Sequence, residues 1–166
     1  MAKIVYPLEQ VLDIKKRRVE EAQRFLQQKQ EELKQEEEKL KQCERERDKV
    51  LEHKQDKLQQ IRDEMEAETT TSAKIDQMKV YLKVVEEKLE AEEKKVEQQK
   101  EQVKLAEEQV ENARQDLRMK QLEVDKLELH KKDWIKEVKE EIRIEEGREM
   151  DEVGNTIYQS RKRAGY

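Results

Sequence analysis

From Ser72 onward an apolar residue returns at every seventh position: Ile75, Leu82, Leu89, Val96, Val103, Val110, Leu117 and Val124. A second row, three residues later, holds Met78, Val85, Ala106, Ala113, Leu127 and Trp134. Together they form the a and d positions of a heptad repeat, the seam along which one α-helix packs on another. Glu92, Gln99 and Lys120 occupy the same second row and weaken it. Composition agrees with narrow seams and little else. Of the 166 residues 48% are charged, 33% hydrophobic and 4% aromatic, with three glycines and one proline. Such a chain can neither fill a compact core nor supply the turns of a sheet. The periodicity decides for long helices against a disordered polyelectrolyte.

The first half carries its own row of Leu12, Val19, Leu26, Leu33 and Leu40, with Ala22 and Cys43 as companions and Lys29 and Glu36 as polar interruptions. After Arg47 the apolar frame shifts to Leu51, Leu58 and Met65 with Ile61 between them. That pattern predicts a stutter and a local unwinding of the supercoil. Thr69-Thr70-Thr71-Ser72 separates the two halves. These are poor helix formers whose hydroxyls can cap the following helix. A turn there places residues whose numbers sum to about 143 opposite one another. Leu26 then faces Leu117, Leu33 faces Val110, Leu40 faces Val103, Val19 faces Val124 and Ile61 faces Leu82. The expected fold is all-α: an antiparallel coiled-coil hairpin with its turn near residues 69–72, in preference to one continuous helix in a parallel dimer.

The hairpin is expected to be a single elongated domain spanning 1–166. Helix one covers about 8–68 and extends about 90 Å. Helix two covers about 72–153. Gly147 and Gly154 weaken its end, and a basic, frayed tail follows at 154–166. Pro7 suits the first helical turn. Helix two overshoots helix one, which leaves Ile135, Val138, Ile142 and Ile144 uncovered. Trp134, where helix one runs out, reads equally as seam filler or as an interface anchor.

A net charge of −5 shows that both signs are mixed along the chain, which suits solvated helix faces and argues against nucleic acid. No stretch resembles a signal peptide or a membrane span, so a cytosolic protein without stable membrane insertion is expected. Cys43 is the lone cysteine and sits at a seam position, where packing explains it. His53 and His130 fall on different helices and read as surface residues, so neither metal nor cofactor is expected. Paired carboxylates catalyse only in a cleft, and there is no glycine-rich phosphate loop. The chain is therefore not expected to be an enzyme. Lys15-Lys16-Arg17-Arg18, Lys131, Lys132 and Arg161-Lys162-Arg163 make the terminal end basic relative to an acidic shaft. That asymmetry fits partner binding, or positive charge kept for solubility. A membrane-surface role for Ile4, Val5, Leu8 and Val11 beside it is the weaker alternative.

The opening Tyr6-Pro7-Leu8-Glu9-Gln10-Val11-Leu12-Asp13-Ile14-Lys15-Lys16-Arg17-Arg18-Val19-Glu20-Glu21-Ala22 resembles the start of the YscO/FliJ family of type III secretion stalk proteins. There an apolar pair leads into a basic turn and then an alanine. The closing Met150-Asp151-Glu152-Val153-Gly154 is similar to that family's C-terminal pattern, and the likeness points to its chlamydial YscO-like branch. The resemblance implies a non-enzymatic central stalk at the cytoplasmic face of the secretion apparatus. Such a stalk is monomeric, binds the hexameric secretion ATPase through its paired termini, promotes its activity, and links it to the export gate protein or to export chaperones. Carried over, the ATPase-binding residues are Leu8, Val11, Leu12, Lys15 and Arg18 at the start and Met150, Asp151, Glu152 and Val153 at the end. The competing expectation is a passive coiled-coil scaffold or homodimeric spacer.

Overall fold

The computed structural model describes residues 3–67 and 71–165. It contains two helices, α1 (Glu9–Glu66) and α2 (Ser72–Arg163), packed against each other as a hairpin, with no strand among the described residues. Tyr6 to Glu9 forms the turn that leads into α1: Glu9 N donates to Tyr6 O at 3.1 Å, and Pro7 stands where a turn favours proline. Of the expected connection, Thr69 and Thr70 lie outside the described residues. Thr71 is the cap of α2. Its Oγ1 accepts from Lys74 N at 3.4 Å and its carbonyl accepts from the same amide at 3.1 Å, which satisfies a donor that the first helical turn leaves open.

The chain divides into two compact units, Gln23–Gln115 and Met1–Ala22 with Asp116–Tyr166. In the first, the α2 seam follows the heptad rows closely. Val85, Leu89, Val96, Val103, Ala106, Val110 and Ala113 are buried, and Val50 of α1 joins Val85 and Leu89 in one cluster. Cys43 is half-buried, as a seam residue should be. The polar interruptions are accommodated in different ways. Gln99 Nε2 donates to the Glu36 carbonyl at 3.0 Å and to Glu36 Oε2 at 2.5 Å. Those bonds, from Gln99 first and from Lys39 second, hold the Glu36 carboxyl below the usual range. Glu92 pairs with Lys95 at 3.4 Å, while its Oε2 is buried without a hydrogen-bond partner.

The expected stutter is absent. Val50 is 9% exposed and Leu51 37%, Ile61 is buried, and Met65 is 48% exposed. The original frame therefore continues through Arg47, Val50, Lys54, Lys57 and Ile61, all buried or half-buried. Lysines fill seam places because their methylene stems cover apolar surface while the ammonium reaches solvent. Lys54 extends to Glu86 at 3.9 Å, and the Lys57 ammonium lies 5.1 Å from the centre of the Tyr81 ring.

The pairing register also needs correction. Glu36 meets Gln99, Lys54 meets Glu86 and Glu64 meets Lys74, so in this unit partners fall short of the expected sum of about 143 by three to eight residues. Near the chain ends the expected rule holds better: Val19 and Val124 share one cluster, and Lys16 pairs with Glu128. Spin labels at the exposed Gln30 and Gln109 are accordingly expected about 10–20 Å apart within one chain, given about 8–10 Å between packed helix axes. Pulsed dipolar spectroscopy checks this, and a longer distance or proximity only between chains contradicts the register.

The end of α2 differs from expectation as well. Residues 154–163 are helical rather than frayed. Gly147 and Gly154 each cost a helix about 1 kcal/mol, yet the helix runs through both; Glu145, Glu146, Arg148, Glu149 and Met150 are good helix formers about Gly147. The stop comes at Gly165, whose φ of 79° supplies the left-handed turn that closes a helix. Arg161, Lys162 and Arg163 in the last turn oppose the negative end of the helix dipole.

Candidate functional site

The unit formed by Met1–Ala22 and Asp116–Tyr166 holds every residue that the sequence nominated. Leu12, 1% exposed, packs with Val19 and Val124, and Leu117 and Leu127 press on the same cluster. Leu12 is thus core: it can support a binding surface but not touch a partner. Leu8 in the turn before α1 and Val11 and Ile14 on α1 remain exposed, an apolar face left open beside the core.

Cations of the basic cluster divide into two kinds. Lys15 is bonded to Glu123 at 3.0 Å and Lys16 to Glu128 at 3.4 Å, while Glu9 of α1 takes Lys131 at 2.7 Å. The Lys15 ammonium, with help from Arg18 and Lys120, holds the Glu123 carboxyl below its ordinary range. These pairs are solvent-exposed, so their contribution is to orientation more than to stability. Arg17 and Arg18 make no ion pair among the described residues and project from an exposed face. The terminal end is therefore less basic than its sequence count implied.

Tyr6 was not nominated, yet it fixes the start of the chain. It is 4% exposed, its hydroxyl is hydrogen-bonded to His130 Nδ1, and its ring lies 5.5 Å from that of Trp134 at 59°. A lone aromatic before a proline at a helix entrance was the signal available, since an apolar residue ahead of the first turn often packs back on a helix. Tyr6 covers part of Trp134 and leaves it half-buried. His130 thus serves Tyr6, and His53 in the other unit bonds the Tyr81 hydroxyl at 3.2 Å. No group of His, Cys, Asp and Glu side chains able to hold a metal occurs among the described residues.

Met150, Asp151, Glu152 and Val153 are all exposed. Lys131, level with the start of α1, lies nineteen residues before Met150, or about 30 Å along the helix. The nominated residues therefore form two surfaces. One is apolar and cationic on α1; the other is on an unaccompanied stretch of α2 where residues 140–152 hold seven acids and two bases.

The profile of YscO-like proteins matches residues 3–164. The chain belongs to the YscO-like family. A solved structure from Chlamydia trachomatis, described as that of a YscO homologue, is 42% identical and superposes with a TM-score of 0.92, covering 97% of this chain and 99% of that one. No curated protein matches the chain. Membership in the YscO-like family connects the chain with type III secretion and with a non-catalytic, accessory kind of component. Among the described residues of this YscO-like chain, no helix is long and apolar enough to cross a membrane.

Proposed function

We propose that the chain is a non-enzymatic central-stalk component of a type III secretion system. It acts as a monomer at the cytoplasmic face of the apparatus, binds the hexameric secretion ATPase through its terminal unit, promotes ATPase activity, and links the ATPase to the export gate or to export chaperones. The observation that supports this reading is the terminal unit's surplus of open surface. Leu8, Val11 and Ile14 stand exposed beside Arg17 and Arg18, which form no ion pair among the described residues, and α2 continues uncovered through Met150 to Val153. A fully satisfied hairpin has no use for either feature, whereas a ring that grips a stalk needs apolar bearing surface and charge to orient it.

In this reading Leu8, Val11 and Arg18 touch the ring, Leu12 supports them from the core, and Lys15 positions α1 through Glu123. Met150, Asp151, Glu152 and Val153 form the second contact, and Trp134 backs the join with Tyr6. Mixing the purified chain with the cognate secretion ATPase tests the proposal. Co-purification and a several-fold rise in ATP hydrolysis are expected. A chain that neither binds the ATPase nor changes its rate is instead a passive scaffold or homodimeric spacer.

A further inference from the structure

Beyond Val138, α2 is a single helix, exposed at every described residue. Apart from Ile144 and Tyr158, its large apolar side chains are nonetheless sorted to one side. Ile142, Met150, Val153 and Ile157 fall within about 80° of arc on a helix of 3.6 residues per turn, an apolar ridge of which Met150 is 72% exposed. Glu141, Glu145, Glu149 and Glu152 follow at helical spacing along one side of that ridge. Among the described residues none of the four is in an ion pair; the segment's one pair is Arg143 with Glu140 at 2.7 Å. Gly147 and Gly154, seven apart, lie along the other side, and a side chain added at either would meet nothing within 4 Å.

We infer that this face receives a basic amphipathic helix from the partner protein. The incoming helix covers the ridge with its apolar side, extends lysines or arginines to the four glutamates, and closes its backbone onto the glycine side, where no Cβ holds it off. The inference rests on the stalk reading, in which the partner is the secretion ATPase, and adds the chemistry of the collar. That collar is basic where it meets α2, although Arg17 and Arg18 on α1 call for acidic groups. A second copy of the chain fits poorly. In antiparallel contact the acidic flank would meet itself, and in parallel contact it would meet the glycine side, where Arg143 is already tied to Glu140 and Arg161 lies two turns beyond Gly154.

The test is calorimetric titration of the full-length chain with the cognate ATPase, together with sedimentation equilibrium of the chain alone. Glu145→Lys/Glu149→Lys/Glu152→Lys is expected to weaken binding at least about tenfold, at about 1.4 kcal/mol per factor of ten. Gly147→Leu/Gly154→Leu strengthens the helix, so it keeps or raises helicity by circular dichroism while weakening binding by a similar factor. Wild-type affinity in both variants overturns the basic-helix inference and leaves the stalk reading standing. A wild-type dimer that the variants abolish overturns it in favour of a second copy. Absence of binding by the wild type removes the stalk reading and this inference together.

Discussion

Val96→Asp is expected to lower the thermal midpoint further than any surface change, and to leave its unit largely unfolded at 37 °C. Val96 is among the most enclosed side chains, 2% exposed in the seam. The substitution removes its apolar burial and sets a carboxylate there without a partner, a combined cost of about 3–5 kcal/mol. Whole domains have only about 5–15 kcal/mol of stability, and this seam already contains the Glu36–Gln99 layer and the unpartnered Glu92 Oε2. Its neighbour Glu97 is exposed and shares one surface pair with Lys100. Glu97→Ala is therefore expected to move the midpoint by about 0.5 kcal/mol or less. Melting curves followed by circular dichroism check the contrast, and equal effects would mean that the heptad frame is misassigned.

The second large effect is expected on ATPase stimulation. Val11→Asp/Arg18→Glu changes two exposed side chains of α1 and keeps both partners of the Lys15–Glu123 and Lys16–Glu128 pairs; the new carboxylate at position 18 repels Glu123 only across solvent, so helicity and melting stay near wild type. Binding to the ATPase is expected to fall at least about tenfold, because the apolar bearing and its orienting charge are both reversed. A chain that stops after Glu146 loses Met150 to Val153 and the basic last turn, and is expected to show a comparable loss. Wild-type affinity should itself weaken as salt rises past about 0.15 M, where charges more than about 8 Å apart are screened. Full stimulation by both variants would refute a mechanism based on the terminal unit and favour the passive spacer.

How far the sequence could be read depended on how each residue marks its place. The α2 seam was legible because Ile75 through Val124 repeat without a gap, and burial follows that row. The later part of α1 misled because Leu51, Leu58 and Met65 form a tempting apolar row, whereas the true seam there uses lysine stems that no apolar count registers. The register was read from a turn centred on Thr71 and Ser72, whereas the pairs of the Gln23–Gln115 unit centre a few residues earlier. Propensity alone suggested that Gly147 and Gly154 would end α2 early. At the site, the residue types at Leu8, Val11 and Arg18 were readable from the opening motif. The enclosure of Leu12 follows from its place in the heptad row and Tyr6 had the proline after it as a signal, but that Tyr6 meets His130 and Trp134 depends on residues far apart in sequence, which no local pattern names.

The cap at Thr71 also has a bearing on how the chain comes together. Beside it, Glu64 and Lys74 are ten residues apart in sequence, whereas Tyr6 and His130 are 124 apart. Closing the longer loop from an open chain costs about 2 kcal/mol more in configurational entropy, so pairing proceeds as a zipper from the capped turn toward the chain ends. During synthesis the timing is stricter still: Tyr6 leaves the ribosome long before His130 exists. The unit with the most open surface is thus the last to be assembled, and until then its apolar residues have only solvent or another protein to meet.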